Sequence, residues 1–475
     1  MDIANRRVSR RQVLVLGLGL ASLPLINACS AASQPTTATK APDMPAPQST
    51  PASVVATPAA SKSGFDWKQQ KGKSITVALV ASVYYPILQK LNAEFENLTG
   101  ITVDSQVIPE QQLRQKLPIE LNAKSPAYDV YTTSLHVEKL LFSKAGWYEP
   151  LNKYLDNPNL TPPDYNWKDF GPTGVNWVTT KDGTIISLPG GVGLAGLMYR
   201  KDIYDAKGLK VPTTMDELVA AVKATHNAPS TYGFVGRGLK NANIPTWGMF
   251  VWALGGSYLD PSGTKLMTTS PEAVEAARIY ADLMKNYSPP GSIGFNWNEA
   301  QGVFSQGIVA CWTDSMQFAA PFEDASKSKV VGKVGYAPHP GSAKQKPFGG
   351  TSCDAVSLNP FAKNKEAAWL YAVWATSKAM QLKLCIEGAM IGTRNSTFDD
   401  PEYAKNLAMP KAWIDAVKAS LAESHTQLPE LQDISQFRDT FGVALTKAIE
   451  GGDPKTLLEQ ATKEFEPIFT KSLQN

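Results

Sequence analysis

Aromatic and polar side chains that could bind a small polyhydroxylated molecule stand near the ends of several predicted strands and in the loops that follow them. Aromatic rings pack against the apolar C–H faces of a sugar or sugar alcohol, while carboxylate, hydroxyl and guanidinium groups bond its hydroxyls in a cleft that excludes water. The sequence therefore offers a set of candidate ligand-binding residues. They are Tyr84, Tyr85, Ser134, His136, Trp247, Trp312, Asp314, Gly350, Thr351 and Arg394.

Several of these residues have a purely structural alternative. Trp312 stands in an apolar run and could belong to the core, and the spacing of Trp247 and Trp252 suits a buried segment almost as well as a cleft. Asp314 could cap a turn, and Arg394 could form a surface ion pair. We nevertheless expect Trp312 to face the ligand, so that Trp312→Ala abolishes binding and leaves the fold intact.

The motifs of common catalytic centres are absent from the sequence. There is no G-x-S-x-G turn, no H-E-x-x-H helix and no pair of cysteine ligands, and the four histidines lack the spacing of metal ligands. Gly191, Gly193 and Gly196 spell G-x-G-x-x-G, but a strand-like run follows them where a nucleotide site needs a helix. The sequence predicts no cofactor, no metal and no catalytic residue.

The N-terminal segment has the composition of an export signal. Residues 1–28 contain a twin-arginine motif and an apolar run that is short for a membrane span, and Cys29 ends a lipobox-like sequence. We expect cleavage before Cys29, lipidation of its thiol and a disordered Ala/Pro/Ser/Thr tether over residues 29–62. The arginines of the signal account for the whole formal charge of +3, so nothing favours a nucleic-acid partner.

The chain beyond the tether alternates between predicted strands and predicted helices. Ser74 to Val80 reads as a buried strand, a helix opens at Pro86, Ile101 to Ile108 is a second strand, and the run YDVYTTS after a second helix is a third. This alternation predicts an α/β fold in which parallel strands are flanked by helices. In such folds ligands sit at the carboxyl ends of the strands.

A central stretch, residues 183–222, carries the motifs that are most specific. The run LPGG is followed by Tyr199-Arg200-Lys201-Asp202, and Thr214 with Glu217 forms a predicted capping box at the start of a helix. The stretch resembles the middle of the family 1 extracellular solute-binding proteins, the carbohydrate receptors of ABC importers. The yDv strand and the sequence GWYEPL of residues 146–151 extend the resemblance over the chain after the tether.

The resemblance implies a two-lobe periplasmic-binding-protein fold of type II, each lobe a mostly parallel sheet flanked by helices, with hinge crossings near Gly193 and Gly350. It also implies a monomeric receptor, anchored by lipid at the outer face of the cell membrane, on the extracellular or periplasmic side. The receptor would capture a sugar or sugar alcohol between the lobes and deliver it to permease subunits that work with an ATPase. The expected lobes are residues 63–193 with 352–395, and residues 194–351 with 396–475.

The runs YADLMKNYSPPG and FNWNEAQGVFSQGIVACWTD, with GTRNST later, resemble the sugar-alcohol and monosaccharide binders within the family. Three other classes stay open. A receptor for a polyamine, peptide or metal would share the fold, and a scaffold lipoprotein would bind nothing small. An extracellular carbohydrate-active enzyme would need two essential carboxylates, for which Glu299, Asp314 and Asp354 are the candidates.

Overall fold

Two long strands pass through the middle of one mixed sheet in the computed structural model, which describes residues 64–407 and 409–474. The predicted signal, the lipidation site Cys29 and the tether lie outside those residues. The strands are β1 Ser74–Val80, β2 Thr102–Ile108, β3 Val130–Ser134, β4 Leu188–Arg200, β5 Cys311–Ser315, β6 Val334–Ala337, β7 Gly349–Leu358 and β8 Ser424–Thr426.

Helices cover the sheet and fill the connections between strands. None of those in the described ranges has the length and apolar content needed to cross a membrane. They are α1 Tyr85–Lys90, α2 Asn92–Thr99, α3 Glu110–Asn122, α4 Leu135–Lys144, α5 Asn152–Leu155, α6 Pro172–Val178, α7 Lys201–Ala206, α8 Met215–Thr225, α9 Ile244–Ala253, α10 Pro271–Asn286, α11 Trp297–Ser305, α12 Lys365–Ala375, α13 Lys378–Gly388, α14 Asn395–Phe398, α15 Pro401–Asn406, α16 Lys411–Ala422, α17 Ile434–Glu450 and α18 Pro454–Gln474. Short 3-10 segments occupy Trp167–Asp169, Ser292–Gly294 and Met316–Glu323.

The strand order is β2-β1-β3-β7-β4-β5, with β6 paired to β4 and β8 paired to β7. β1 is parallel to both β2 and β3, as the strand and helix alternation predicts. β7 runs antiparallel to β3 and β4, and β4 runs antiparallel to β5 and β6. The sheet is therefore mixed, because β4 runs in the direction of β1, β2 and β3, whereas β7 and the strands β5, β6 and β8 run in the opposite direction.

β4 and β7 connect two groups of strands, and we call them the crossing strands. The first half of β4 pairs with β7, and its second half pairs with β5 and β6. The end of β7 pairs with β3, whereas its start pairs with β8. β1, β2 and β3 form the first group, and β5, β6 and β8 form the second. The expected hinge glycines Gly193 and Gly350 both lie on these strands.

Glycine is required at the crossing by close approach of side chains. A Cβ atom at Gly193 would overlap the hydroxyl of Ser352 on the opposite strand, and one at Gly350 would overlap the sulfur of Met249. Since Gly193 pairs with Ser352 and Ala195 with Gly350, both contacts lie within a few residues of each other. These glycines therefore allow the crossing strands to pack closely. Close packing also explains why the G-x-G-x-x-G pattern occurs here without a nucleotide site.

Two tryptophans that the sequence placed in the cleft lie in the core. Trp247 is fully buried, stacks on Phe441 at 6.0 Å and donates its indole N–H to the Ala273 carbonyl at 3.0 Å. Trp312 is also fully buried, with the rings of Phe304 and Phe322 each centred within 6.3 Å of it. Their role is apolar packing, so the expectation that they face ligand is wrong.

The predicted capping box at the start of α8 is present. The Thr214 hydroxyl accepts a hydrogen bond from the Glu217 backbone N–H at 3.3 Å, and the Glu217 carboxylate accepts one from the Thr214 N–H at 3.1 Å. We expect Thr214→Ala to lower the free energy of unfolding by about 1 kcal/mol, because an amide of the first turn loses its partner. Urea denaturation measures this loss, and Thr214→Ser, which keeps the hydroxyl, should show little of it.

Trp312→Ala is expected to lower the free energy of unfolding by about 3–5 kcal/mol, since it opens a cavity in a packed aromatic cluster. The control is Trp312→Phe, which keeps most of the volume and removes an indole N–H that has no hydrogen-bond partner in the described part of the chain. Chemical denaturation of both variants measures their free energies of unfolding. Equal stability of Trp312→Ala and the wild type would show that the ring is not part of the core.

Candidate functional site

A cavity lies where residues that follow strands of the first group meet residues that follow strands of the second group. Its free space, including the mouth that opens to solvent, is about 740 Å³. β1, β3, β5 and β8 all point their carboxyl ends at it, the position that open α/β sheets use for ligands. The lining residues are Val80, Ala81, Ser82, Val83, Glu110, Arg114, Ser134, His136, Arg237, Pro245, Trp297, Ser315, Gln317, Phe318, Ser352, Asp354, Gln427, Leu428 and Arg438.

Asp354 of crossing strand β7 lines the cavity and is hydrogen-bonded to two neighbouring hydroxyl groups. Its carboxylate accepts hydrogen bonds from the Tyr84 hydroxyl at 2.9 Å and from the Ser134 hydroxyl at 3.0 Å. Asp354 pairs with Ser134 on one side and with Gly191 on the other, so the sheet fixes its position. Burial raises the pKa of the Asp354 carboxyl. The two hydroxyl donors hold the Asp354 carboxylate in one orientation.

Three arginines converge on the cavity from different elements. Arg237 makes a two-pronged ion pair with Asp314, at 2.7 Å from Nε and 2.6 Å from Nη2. Arg114 lies one turn after Glu110 in α3, with 2.6 Å between its Nη1 and the glutamate oxygen. Arg114 holds the pKa of Glu110 below its usual range. Arg438 of α17 donates its Nε–H to the Asn241 carbonyl at 3.0 Å.

Aromatic rings form one wall of the cavity. Trp297 stacks on Phe318 with ring centres 4.6 Å apart and planes 10° from parallel, and Trp312 stacks behind Phe318 at 6.1 Å. The Arg237 guanidinium lies 5.6 Å from the centre of the Phe318 ring. Trp297 and Phe318 line the cavity and Trp312 does not. The tryptophan that can pack against the C–H face of a ligand is therefore Trp297, which stands fifteen positions before the expected Trp312.

Three sequence-predicted residues lie in or beside the cavity. Ser134 and His136 line it, and Asp314 lies directly behind its wall as the partner of Arg237. Burial lowers the pKa of His136 to about 3, so its ring is neutral at physiological pH. Whether these residues contact a ligand stays a prediction.

Other candidates are placed elsewhere by the fold. Tyr84 and Tyr85 are buried under the crossing strands, with Tyr84 bonded to Asp354, and neither ring lines the cavity. Thr351 lines a separate pocket, while Gly350 is packed against Met249. These four residues therefore do not line the cavity, and their expected contact with ligand stays a prediction.

Arg394 is likewise distant from the cavity. Its side chain is 1 % exposed, its guanidinium lies 3.9 Å from the centre of the Phe170 ring, and its Nη1 is 3.3 Å from the Asp169 carboxylate. The Nε–H donates to the Thr376 carbonyl at 2.9 Å. Arg394 therefore ties together three segments of the fold, and the expectation that it binds ligand is wrong.

The cavity contains functional candidates that sequence reasoning missed. Glu110, Arg114 and Arg438 lie on helices with no motif around them, and Arg237 lies in a loop. Trp297 did carry a signal, because it stands in the run FNWNEA that resembles sugar-alcohol binders. The carboxylates considered for catalysis have other partners: Glu299 is exposed and accepts from the Asn296 N–H at 2.9 Å in a capping box.

The chain is similar in sequence to known binding proteins. The chain is 25% identical to the erythritol/L-threitol-binding protein of Mycolicibacterium smegmatis, over 97% of this chain and 96% of that protein. It is 26% identical to the mannitol-binding protein of Pseudomonas aeruginosa, over 83% and 93% of the two chains.

Among solved structures, an ABC transporter solute-binding protein from Agrobacterium radiobacter K84 in complex with ribitol superposes with a TM-score of 0.77. It is 26% identical and covers 84% of this chain and 99% of its own. This likeness confirms the predicted α/β fold of periplasmic binding proteins. Residues 80–382 match the model for bacterial extracellular solute-binding proteins. The chain therefore belongs to the family of bacterial extracellular solute-binding proteins.

Proposed function

We propose that this protein captures a sugar alcohol or small sugar in the cavity and delivers it to the permease of an ABC importer. The observation that carries the proposal is an aromatic wall, Trp297 with Phe318, that lines the same cavity as the buried hydrogen-bonding groups of Asp354, Arg114 and Arg438. Such a combination suits a molecule with an apolar C–H face and a row of hydroxyls. The erythritol/L-threitol, mannitol and ribitol named for the relatives support this class of ligand.

Capture by this receptor is a closing motion about the crossing strands. Residues 63–193 with 352–395 make one lobe, and residues 194–351 with 396–475 make the other. The ligand stabilises the closed form because it gains contacts from both lobes at once, and its differential affinity for the two forms sets the shift in population. Closure is then recognised by the permease, while ATP is used by separate subunits.

No covalent step is part of this proposal. The family and the relatives named above are binding proteins. Of the three carboxylates considered for a glycosidase, Asp314 is held by Arg237 in a two-pronged pair and Glu299 caps α11, which leaves Asp354 as the one that lines the cavity. A general acid and a nucleophile both need access to substrate. The bound sugar or polyol is therefore released unchanged.

The location follows from the N-terminal sequence. Residues 1–28 are a twin-arginine signal that is removed, and the new N-terminal Cys29 carries the lipid that holds the monomer at the outer face of the membrane. Two or more acyl chains are needed for stable anchoring. Mass spectrometry of the N-terminal peptide from exported protein tests this, because an unmodified Cys29 would contradict the anchor.

The ligand class is tested by thermal unfolding of the full-length protein against sugar alcohols, monosaccharides, disaccharides, peptides and polyamines. A ligand at a hundredfold excess over its dissociation constant stabilises the folded state by about 2.7 kcal/mol and raises the midpoint accordingly. We expect a shift with a sugar alcohol or small sugar that is recovered unchanged after incubation. A shift with polyamines or peptides alone would keep the fold and reject the function, and consumption of the ligand would indicate an enzyme.

The aromatic wall is tested by Trp297→Ala. We expect the dissociation constant for the sugar alcohol or sugar identified above to rise at least tenfold, about 1.4 kcal/mol, because the apolar face of the ligand loses its ring. Trp67→Ala is the matched control, since Trp67 is also partly buried but packs against Phe65 away from the cavity. Calorimetric titration compares the two variants, and equal affinity would remove Trp297 from the site.

A further inference from the structure

Arg438 contributes a cation to the cavity that forms no salt bridge within the described residues. The residue lies in α17, is 8 % exposed and lines the cavity. Its one hydrogen bond within the described residues runs from Nε to the Asn241 carbonyl, at 3.0 Å. The salt bridges of residues 64–407 and 409–474 include Arg114, Arg237 and Arg394 but not Arg438. The two Nη groups of Arg438 are thus left for another partner.

The other charges of the cavity are already engaged. Arg237 is matched by Asp314, Arg114 by Glu110 and Glu138, and Asp354 by the hydroxyls of Tyr84 and Ser134. The charge of Glu110 also acts on Arg438, but its salt bridge is with Arg114. His136 is neutral, because burial lowers its pKa to about 3. Burial and the nearby Arg114 lower the pKa of Arg438 to about 9, so the guanidinium still carries its charge at neutral pH.

A buried charge without a counter-charge costs free energy, and a ligand that supplies the counter-charge recovers it. A guanidinium presents its N–H groups in a planar fork that matches the two oxygens of a carboxylate. We propose that the ligand is a polyhydroxylated monocarboxylate of the aldonate class, with its carboxylate on Arg438 and its carbon chain against Trp297. This inference rests on the proposed function and deepens it, because it replaces the neutral sugar alcohol by the corresponding sugar acid as the preferred ligand.

A single unpaired cation favours a carboxylate over a phosphate ester. A carboxylate brings one negative charge, whereas a phosphate monoester brings about 1.5 to 2 at neutral pH. The second negative charge of a phosphate ester would be repelled by Glu110 and Asp354, the two carboxylate-bearing residues that line the same cavity. The polyol portion of the ligand still needs the aromatic wall, so an aldonate and the corresponding alditol should compete for one site.

The experiment is calorimetric titration of the full-length protein with matched pairs: ribonate and ribitol, mannonate and mannitol, erythronate and erythritol, plus sn-glycerol 3-phosphate. We expect one aldonate to bind at least tenfold more tightly than its alditol. An alditol that binds as tightly as its aldonate would overturn the inference and leave the proposed function standing. Tightest binding of the phosphate ester would overturn the carboxylate assignment, and no binding by any compound would contradict both proposals.

Variants locate the preference on Arg438. Arg438→Gln should remove the advantage of the aldonate over the alditol, and Arg438→Lys, which keeps the charge without the fork, should retain part of it. The matched control is Arg278→Gln, because Arg278 is exposed and pairs with Glu275 on α10. A preference that survives unchanged in a folded Arg438→Gln protein would contradict the assignment. If that variant does not fold, the comparison of acid and alcohol on the wild type decides alone.

Discussion

The pairing of the two crossing strands is the constraint on which the site depends. Gly193 faces Ser352 so closely that a side chain at Gly193 would occupy the space of the serine hydroxyl. The Ser315 hydroxyl adds a further tie, since it accepts a hydrogen bond from the Leu194 N–H at 3.1 Å. Three strands thus meet within a few residues. Any motion between the two groups of strands must be absorbed at this narrow junction.

The same junction positions the polar groups of the cavity. Asp354 lies on β7 opposite Gly191, and Asp314 lies on β5 opposite Gly196 of β4. Because each carboxylate stands on a strand of the sheet, its backbone is held by hydrogen bonds on a rigid element rather than by a loop. Asp314 in turn orients Arg237 over the Phe318 ring. The electrostatics of the cavity and the path of the crossing strands are therefore parts of one arrangement.

Local features of the fold could be predicted from the sequence, whereas most of the cavity residues, Ser134 and His136 apart, could not. The bounds of β1 and the capping box at Thr214 follow from patterns a few residues long. β5, in contrast, is buried along its whole length. A strand buried on both faces shows no alternation, so the sequence does not say which side of it Trp312 occupies. Arg237 and Arg438 are about two hundred positions apart, and their meeting depends on the whole topology.

The unsatisfied atoms of the cavity explain why closure should require a ligand. Within the described part of the chain, Arg114 Nε, His136 Nδ1 and Gln317 Oε1 are buried and have no hydrogen-bond partner. All three residues line the cavity. Each such atom costs about 1–3 kcal/mol when it leaves water without a partner. In an open cleft water supplies those partners, and in a closed cleft the hydroxyls of a polyol can supply them. For the proposed closing motion, the free energy of closing is therefore coupled to occupancy, which is the property that an importer needs from its receptor.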